Sequence, residues 1–131
     1  MIRSVKCHFR NITDGDKTKF SRSHCLLTIS VGQEVHEDEH FKSTIELVNA
    51  SFDSCIMLID DSLQRHTMAL ASQKNADSFY QSSIEAGDQW LERNIAHYSQ
   101  LTILKKIIRW NHWVQHPDFQ AQQNKIKTLM R

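Results

Sequence analysis

The stretch HEDEH, His36 to His40, carries two histidines four residues apart with a glutamate beside the first. On a helix that spacing puts both imidazoles on one face, where a zinc protease binds its metal and the glutamate activates a bound water. Such a site needs a third ligand further along the chain. Asp38 and Glu39, between the histidines, instead suit the exposed first turn of a helix, where the dipole favours negative charge. The other histidines, His8, His24, His66, His97, His112 and His116, form no CxxC or CxxxH cluster with Cys7, Cys25 and Cys55. No metal site is expected.

Ser30 is a different kind of candidate. It follows the apolar run CLLTI and precedes Val31-Gly32, which puts a hydroxyl at the carboxyl end of a strand. In open parallel sheets that end borders the ligand crevice. Serine is also frequent where strands turn, so position alone leaves both roles open. Gly32 is the one glycine near this turn, whereas a dinucleotide fingerprint needs three and a phosphate loop needs two followed by GK[ST]. Lys105, Lys106 and Arg109 form a local basic group near Trp110 and Trp113. Such residues can hold phosphates and stack bases, but they equally describe a solvated face beside core tryptophans.

The elements that would position these residues alternate in type. HCLLTISVG reads as a buried strand over about 25–30 with a turn at Gly32. From Glu34 to Ala50, Phe41, Ile45, Leu47 and Val48 recur near helical spacing. CIMLIDD repeats the strand pattern and ends in polar residues, and a long helix is expected from about Asn75 to Tyr98. Ile103, Leu104, Ile107 and Ile108 fall on one helical face, so periodicity predicts a helix there, although the run is short and β-branched. After Pro117, the only proline, a last helix opens with Asp118 near its cap and shows no stop signal. Alternating β and α units predict a parallel sheet covered by helices.

Composition sets the outer bounds. A chain of 131 residues with 40% hydrophobic content suits one compact domain over 1–131. Sixteen basic and 15 acidic residues give a net charge of +1, so no overall field marks a general nucleic-acid or membrane binder. Three widely spaced cysteines, two of them in apolar runs, suit reduced thiols and a cytoplasmic protein. No segment is long enough for a signal peptide or a membrane span.

CLLTISVGQ, an acidic helix start, FDSCIMLIDDSLQRHTMAL, GDQWL and IIRWNHWVQHPDF occur in an order and spacing that resemble the tRNA-dependent cyclodipeptide synthases. The resemblance runs from about His24 to the C-terminus. It implies a Rossmann-like parallel sheet with helices on both faces, similar to the catalytic domain of class I aminoacyl-tRNA synthetases but without the ATP motifs. It further implies an aminoacyltransferase that joins two amino acids taken from aminoacyl-tRNAs into a diketopiperazine, with no cofactor and neither DNA nor membrane as partner.

On the same resemblance, Ser30 in TIS is the nucleophile that carries the first aminoacyl group as an ester. Leu26 matches a wall of the aminoacyl pocket, and Thr28 a pocket position that is often glycine. Gly32 and Gln33 follow the nucleophile. Gln33 stands where one subfamily has asparagine and the other, named XYP, varies, so the chain looks like the XYP group. Lys105, Lys106 and Arg109 are the tRNA-contact candidates. The resemblance also implies that ILKKIIRW is a strand leading into a helix, and this reading takes precedence over the periodicity, which is weakest for short apolar runs. The family's second tyrosine, its glutamate and its tyrosine-proline pair lie on later elements, so an incomplete catalyst is expected. The rival reading is a truncated, non-catalytic Rossmann-like binding module.

Overall fold

The computed structural model describes residues 6–130; the ends of the expected 1–131 domain, residues 1–5 and Arg131, lie outside the described residues. Three strands form one parallel sheet: β1 (His24–Ile29), β2 (Ser54–Ile59) and β3 (Leu104–Arg109), in the order β1-β2-β3. Around it lie α1 (Asp14–Phe20), α2 (Asp38–Ser51), α3 (Gln64–Leu70), α4 (Tyr80–Tyr98), the single turn α5 (Trp110–Trp113) and α6 (Pro117–Leu129).

The alternation of β2 explains the core. Cys55, Met57 and Ile59 are fully buried, and the residues between them are half-buried. Phe41, Ile45 and Val48 of α2 and Trp90 of α4 complete the core over that sheet face. Cys25 and Cys55 lie opposite each other on the two strands as free thiols, and burial pushes Cys55 up to about 12. The opposite sheet face is less covered: Leu26 is 61% exposed, Thr28 is exposed, and their partners Ile56 and Leu58 are half-buried.

β3 corrects the helix that periodicity predicts. Cys55 pairs with Leu104 but Ile56 pairs with Lys106, so one extra residue, Lys105, is bulged out of register. A bulge restores the same facing after three residues instead of two, and Leu104 and Ile107 both pack against the core. Their i, i+3 spacing imitates a helix.

Two other helices differ in detail. The span expected from Glu34 divides into a 3-10 turn (Glu34–His36) and α2, separated by extended Glu37, with Asp38, the first residue of α2, at φ 47°. The helix expected from Asn75 begins as a 3-10 turn (Ala76–Phe79) capped by the Asn75 side chain. α1 lacks any apolar periodicity; Thr13 caps it by accepting a hydrogen bond from Asp16 N, and Phe20 at its end stacks on Phe52 at 5.1 Å. α6 is capped by the His116 ring, with Asp118 in the first turn. No helix among the described residues is long and apolar enough to cross a membrane.

Candidate active site

The site is built at the carboxyl ends of β1 and β2. Ser30 follows β1 directly and opens a turn closed by Gln33 N donating to Ser30 O at 3.2 Å. Gly32 takes φ 94° in that turn, a conformation that suits glycine, and a Cβ built there would meet nothing within 4 Å. Leu26 and Thr28 alternate onto the open sheet face, and Ser30 continues their row by the same two-residue period. The turn therefore joins Ser30, Gly32 and Gln33, with Leu26 and Thr28 leading up to them.

The doublet Asp60-Asp61 at the end of β2 anchors both neighbouring strands. Asp60 faces β1: Val31 N donates to its Oδ1 at 2.9 Å and Gln64 Nε2 to its Oδ2 at 3.0 Å. Ser30, the residue before Val31, lies beside the same carboxylate. Burial pushes the Asp60 carboxyl above its ordinary range, while the Val31, Gln64 and Ser30 hydrogen bonds and the nearby His36 pull it down. Asp61 faces β3 and is fully buried. It accepts from Asn111 N at 2.9 Å and from Arg109 Nε at 2.7 Å.

His36 closes the site from the other side. Its Nδ1 accepts from Ser30 N at 2.9 Å, and its carbonyl accepts from the indole of buried Trp90 at 2.9 Å. Next to it, Glu37 receives Arg93 Nε at 3.0 Å and Asn94 Nδ2 at 3.0 Å, which hold its carboxyl below the usual carboxylate range. HEDEH is thus not a helical metal motif, because the break at Glu37 and Asp38 destroys the one-turn spacing of His36 and His40. Nor is it merely an exposed helix start, since His36 and Glu37 are half-buried and bonded to other elements. Among the described residues no group of three or more His, Cys, Asp and Glu side chains is arranged to hold a metal ion.

The basic group does not assemble as the sequence suggests. Arg109 is engaged by Asp61, by Asp88 and by Ile84 O, so its charge is balanced inside the fold. Lys105 and Lys106 are exposed, and Lys106 lines a groove of about 590 Å³ with Trp113, His112 and His116.

Sequence reasoning missed Asp60, Asp61 and the bonded role of His36. The available signal was an acidic doublet closing a buried strand, which places two carboxylates at the ligand end of a parallel sheet.

A solved CDPS, that is a cyclodipeptide synthase, from Fluoribacter dumoffii matches 94% of this chain at 41% sequence identity, with a TM-score of 0.82. The chain is related to the cyclodipeptide synthase family. A cyclo(L-leucyl-L-phenylalanyl) synthase matches 86% of the chain with a TM-score of 0.60; at 11% identity that likeness concerns the fold alone. The chain spans about half the length of these cyclodipeptide synthases, 55% and 52% respectively. No protein-family model matches the sequence, and none of the curated proteins matches it significantly.

Proposed function

We propose that the chain forms the nucleophile-bearing part of a tRNA-dependent cyclodipeptide synthase. The observation that carries this reading is the position of Ser30, at the carboxyl end of β1 beside an open apolar face, in a chain 41% identical to a CDPS. The Ser30 hydroxyl attacks the ester carbonyl of a first aminoacyl-tRNA, and the aminoacyl group moves to Oγ while the tRNA 3′-terminal ribose leaves. The amine of a second aminoacyl-tRNA then attacks that ester, and cyclisation gives a diketopiperazine.

Leu26 and Thr28 form one wall of the aminoacyl pocket, where their exposure leaves room for a side chain. Gly32 lets the substrate backbone approach, and Gln33 stands at the turn's exit. Lys105 and Lys106 contact tRNA phosphates, while Arg109 is reserved for the fold. The substrate arrives already activated, so positioning is the main task and no cofactor is invoked. The reaction is cytoplasmic, where charged tRNA is found.

Incubation with aminoacyl-tRNA bearing a radiolabelled amino acid, followed by acid quench, tests the reading. Protein-bound label in the wild type and none in Ser30→Ala supports it; label retained by Ser30→Ala rejects it. A non-catalytic Rossmann-like binding module is the second reading. It is marked by aminoacyl-tRNA binding without label transfer.

A further inference from the structure

β1 and β2 stay in register through Ile29↔Ile59, so Ser30 and Asp60 are the next facing positions beyond the strands. We propose that the Asp60 carboxylate accepts the Ser30 hydroxyl proton when Ser30 is acylated. This rests on Ser30 being the nucleophile and assigns the base for that step.

The geometry favours Asp60 over each neighbouring group. Its two oxygens are held by Val31 N at 2.9 Å and Gln64 Nε2 at 3.0 Å, donors from the β1 turn and from α3 that fix the carboxylate beside the serine. His36, the titratable group facing it from the 3-10 turn, spends its Nδ1 lone pair on Ser30 N and cannot also accept the hydroxyl proton through that atom. Glu37 is turned onto Arg93 and Asn94, and Asp61 onto Arg109 and Asn111. Of these carboxylates, Asp60 alone stands opposite Ser30 at the strand ends, its Oδ1 held by the next residue's N–H. Its partial burial also makes it a better proton acceptor than a solvated aspartate.

The step balances without a further reactant. The Oγ–H proton passes to Asp60 as the Oγ–carbonyl bond forms. When the bond from carbonyl carbon to the ribose oxygen breaks, Asp60 returns that proton to the departing oxygen. The products are the aminoacyl ester of Ser30 and free tRNA.

The test uses total tRNA charged with a mixture of ¹⁴C-labelled amino acids, with acid-quenched label followed over time and pH for wild type, Ser30→Ala and Asp60→Asn. Asparagine keeps an oxygen for Val31 N but accepts no proton. The expected result is label on the wild type, none on Ser30→Ala, and labelling of Asp60→Asn slower by about 100-fold or more. The wild-type rate falls as pH drops through the Asp60 pKa, and Asp60→Asn lacks that limb. Equal rates and equal pH limbs in wild type and Asp60→Asn, with Ser30→Ala unlabelled, overturn the Asp60 assignment and leave the nucleophile standing. No label on wild type, or label on Ser30→Ala, overturns both. A second measurement needs neither turnover nor Asp60→Asn: in ¹³C-carboxyl NMR, the Asp60 titration should move up in Ser30→Ala, which removes one of the hydrogen bonds that lower it. An unchanged titration overturns the contact.

Discussion

Arg109 and Asp61 form an ion pair across the carboxyl ends of β3 and β2, Nε to Oδ2 at 2.7 Å, with Asp61 fully buried. A buried carboxylate persists only if its oxygens are satisfied, and here Asn111 N and Ser62 N supply further donors at 2.9 and 2.6 Å. The pair ties β3 to β2, whose carboxyl end borders the site.

Gly87 makes room for that pair. A Cβ at this position of α4 would lie 2.7 Å from Arg109 Nη2 and 2.8 Å from Asp61 Cβ. Alanine would gain about 1 kcal/mol of helix propensity. Asp61 Cβ is fixed by the backbone, however, and overpacking together with disturbance of a buried ion pair outweighs that gain. Gly87→Ala should lose about 2 kcal/mol net in urea unfolding; a variant as stable as wild type would contradict the account.

Much of this fold could be read in the chain. HCLLTI and SCIMLI are short apolar runs ended by polar residues, and the parallel sheet follows from the helices between them. The third strand was hidden from periodicity, because the Lys105 bulge spaces Leu104 and Ile107 three apart as a helix would, and only the family resemblance pointed to it. At the site, Ser30 was visible from its place after an apolar run. The supports of Ser30 were not, because His36 and Asp60 reach it only once the chain has turned back, 6 and 30 residues away, and local pattern carries no information on such pairings.

Trp90 should prove a structural key to the site. It is fully buried, stands edge-on to Phe41 at 5.0 Å and donates its indole N–H to the carbonyl of His36. Trp90→Phe keeps most of the apolar packing but leaves that carbonyl without its donor, a loss of about 2 kcal/mol. Amide exchange around Gln33–Glu37 should rise at the same time. Unchanged exchange there would mean that the indole bond does not hold the turn.

Glu37 makes stability depend on pH in a definite direction. Its folded pKa is lowered chiefly by Arg93, so its contribution is complete above the ordinary carboxylate range and is lost as pH falls through the folded value. Arg93 is 47% exposed, so solvent screens the pair and Glu37→Gln should cost about 0.5–1 kcal/mol at neutral pH. The difference in melting temperature between wild type and Glu37→Gln should shrink on acidification. A gap that stays constant from neutral to acidic pH would show that the ion pair contributes nothing.

His36 and His40, alike in the sequence motif, should respond differently to substitution. His40 is exposed in the first turn of α2, where Thr44 Oγ1 bonds its backbone carbonyl and leaves its ring uninvolved, so His40→Ala should stay within about 0.5 kcal/mol of wild type. The half-buried His36 ring instead accepts the Ser30 amide, and alanine would leave that N–H without its partner at the turn that carries the hydroxyl. A loss of about 1–3 kcal/mol follows if water cannot take the place of the ring nitrogen. The Ser30 amide should exchange faster in His36→Ala and unchanged in His40→Ala. Asparagine at 36 offers a carbonyl oxygen as acceptor, though on a shorter arm than imidazole Nδ1, so His36→Asn should recover part of the stability and of the amide protection. Should His36→Ala match His40→Ala in both stability and Ser30 exchange, the imidazole would be no more than a surface residue, and the support assigned to the Ser30 turn would have to come from Asp60 and Trp90 alone.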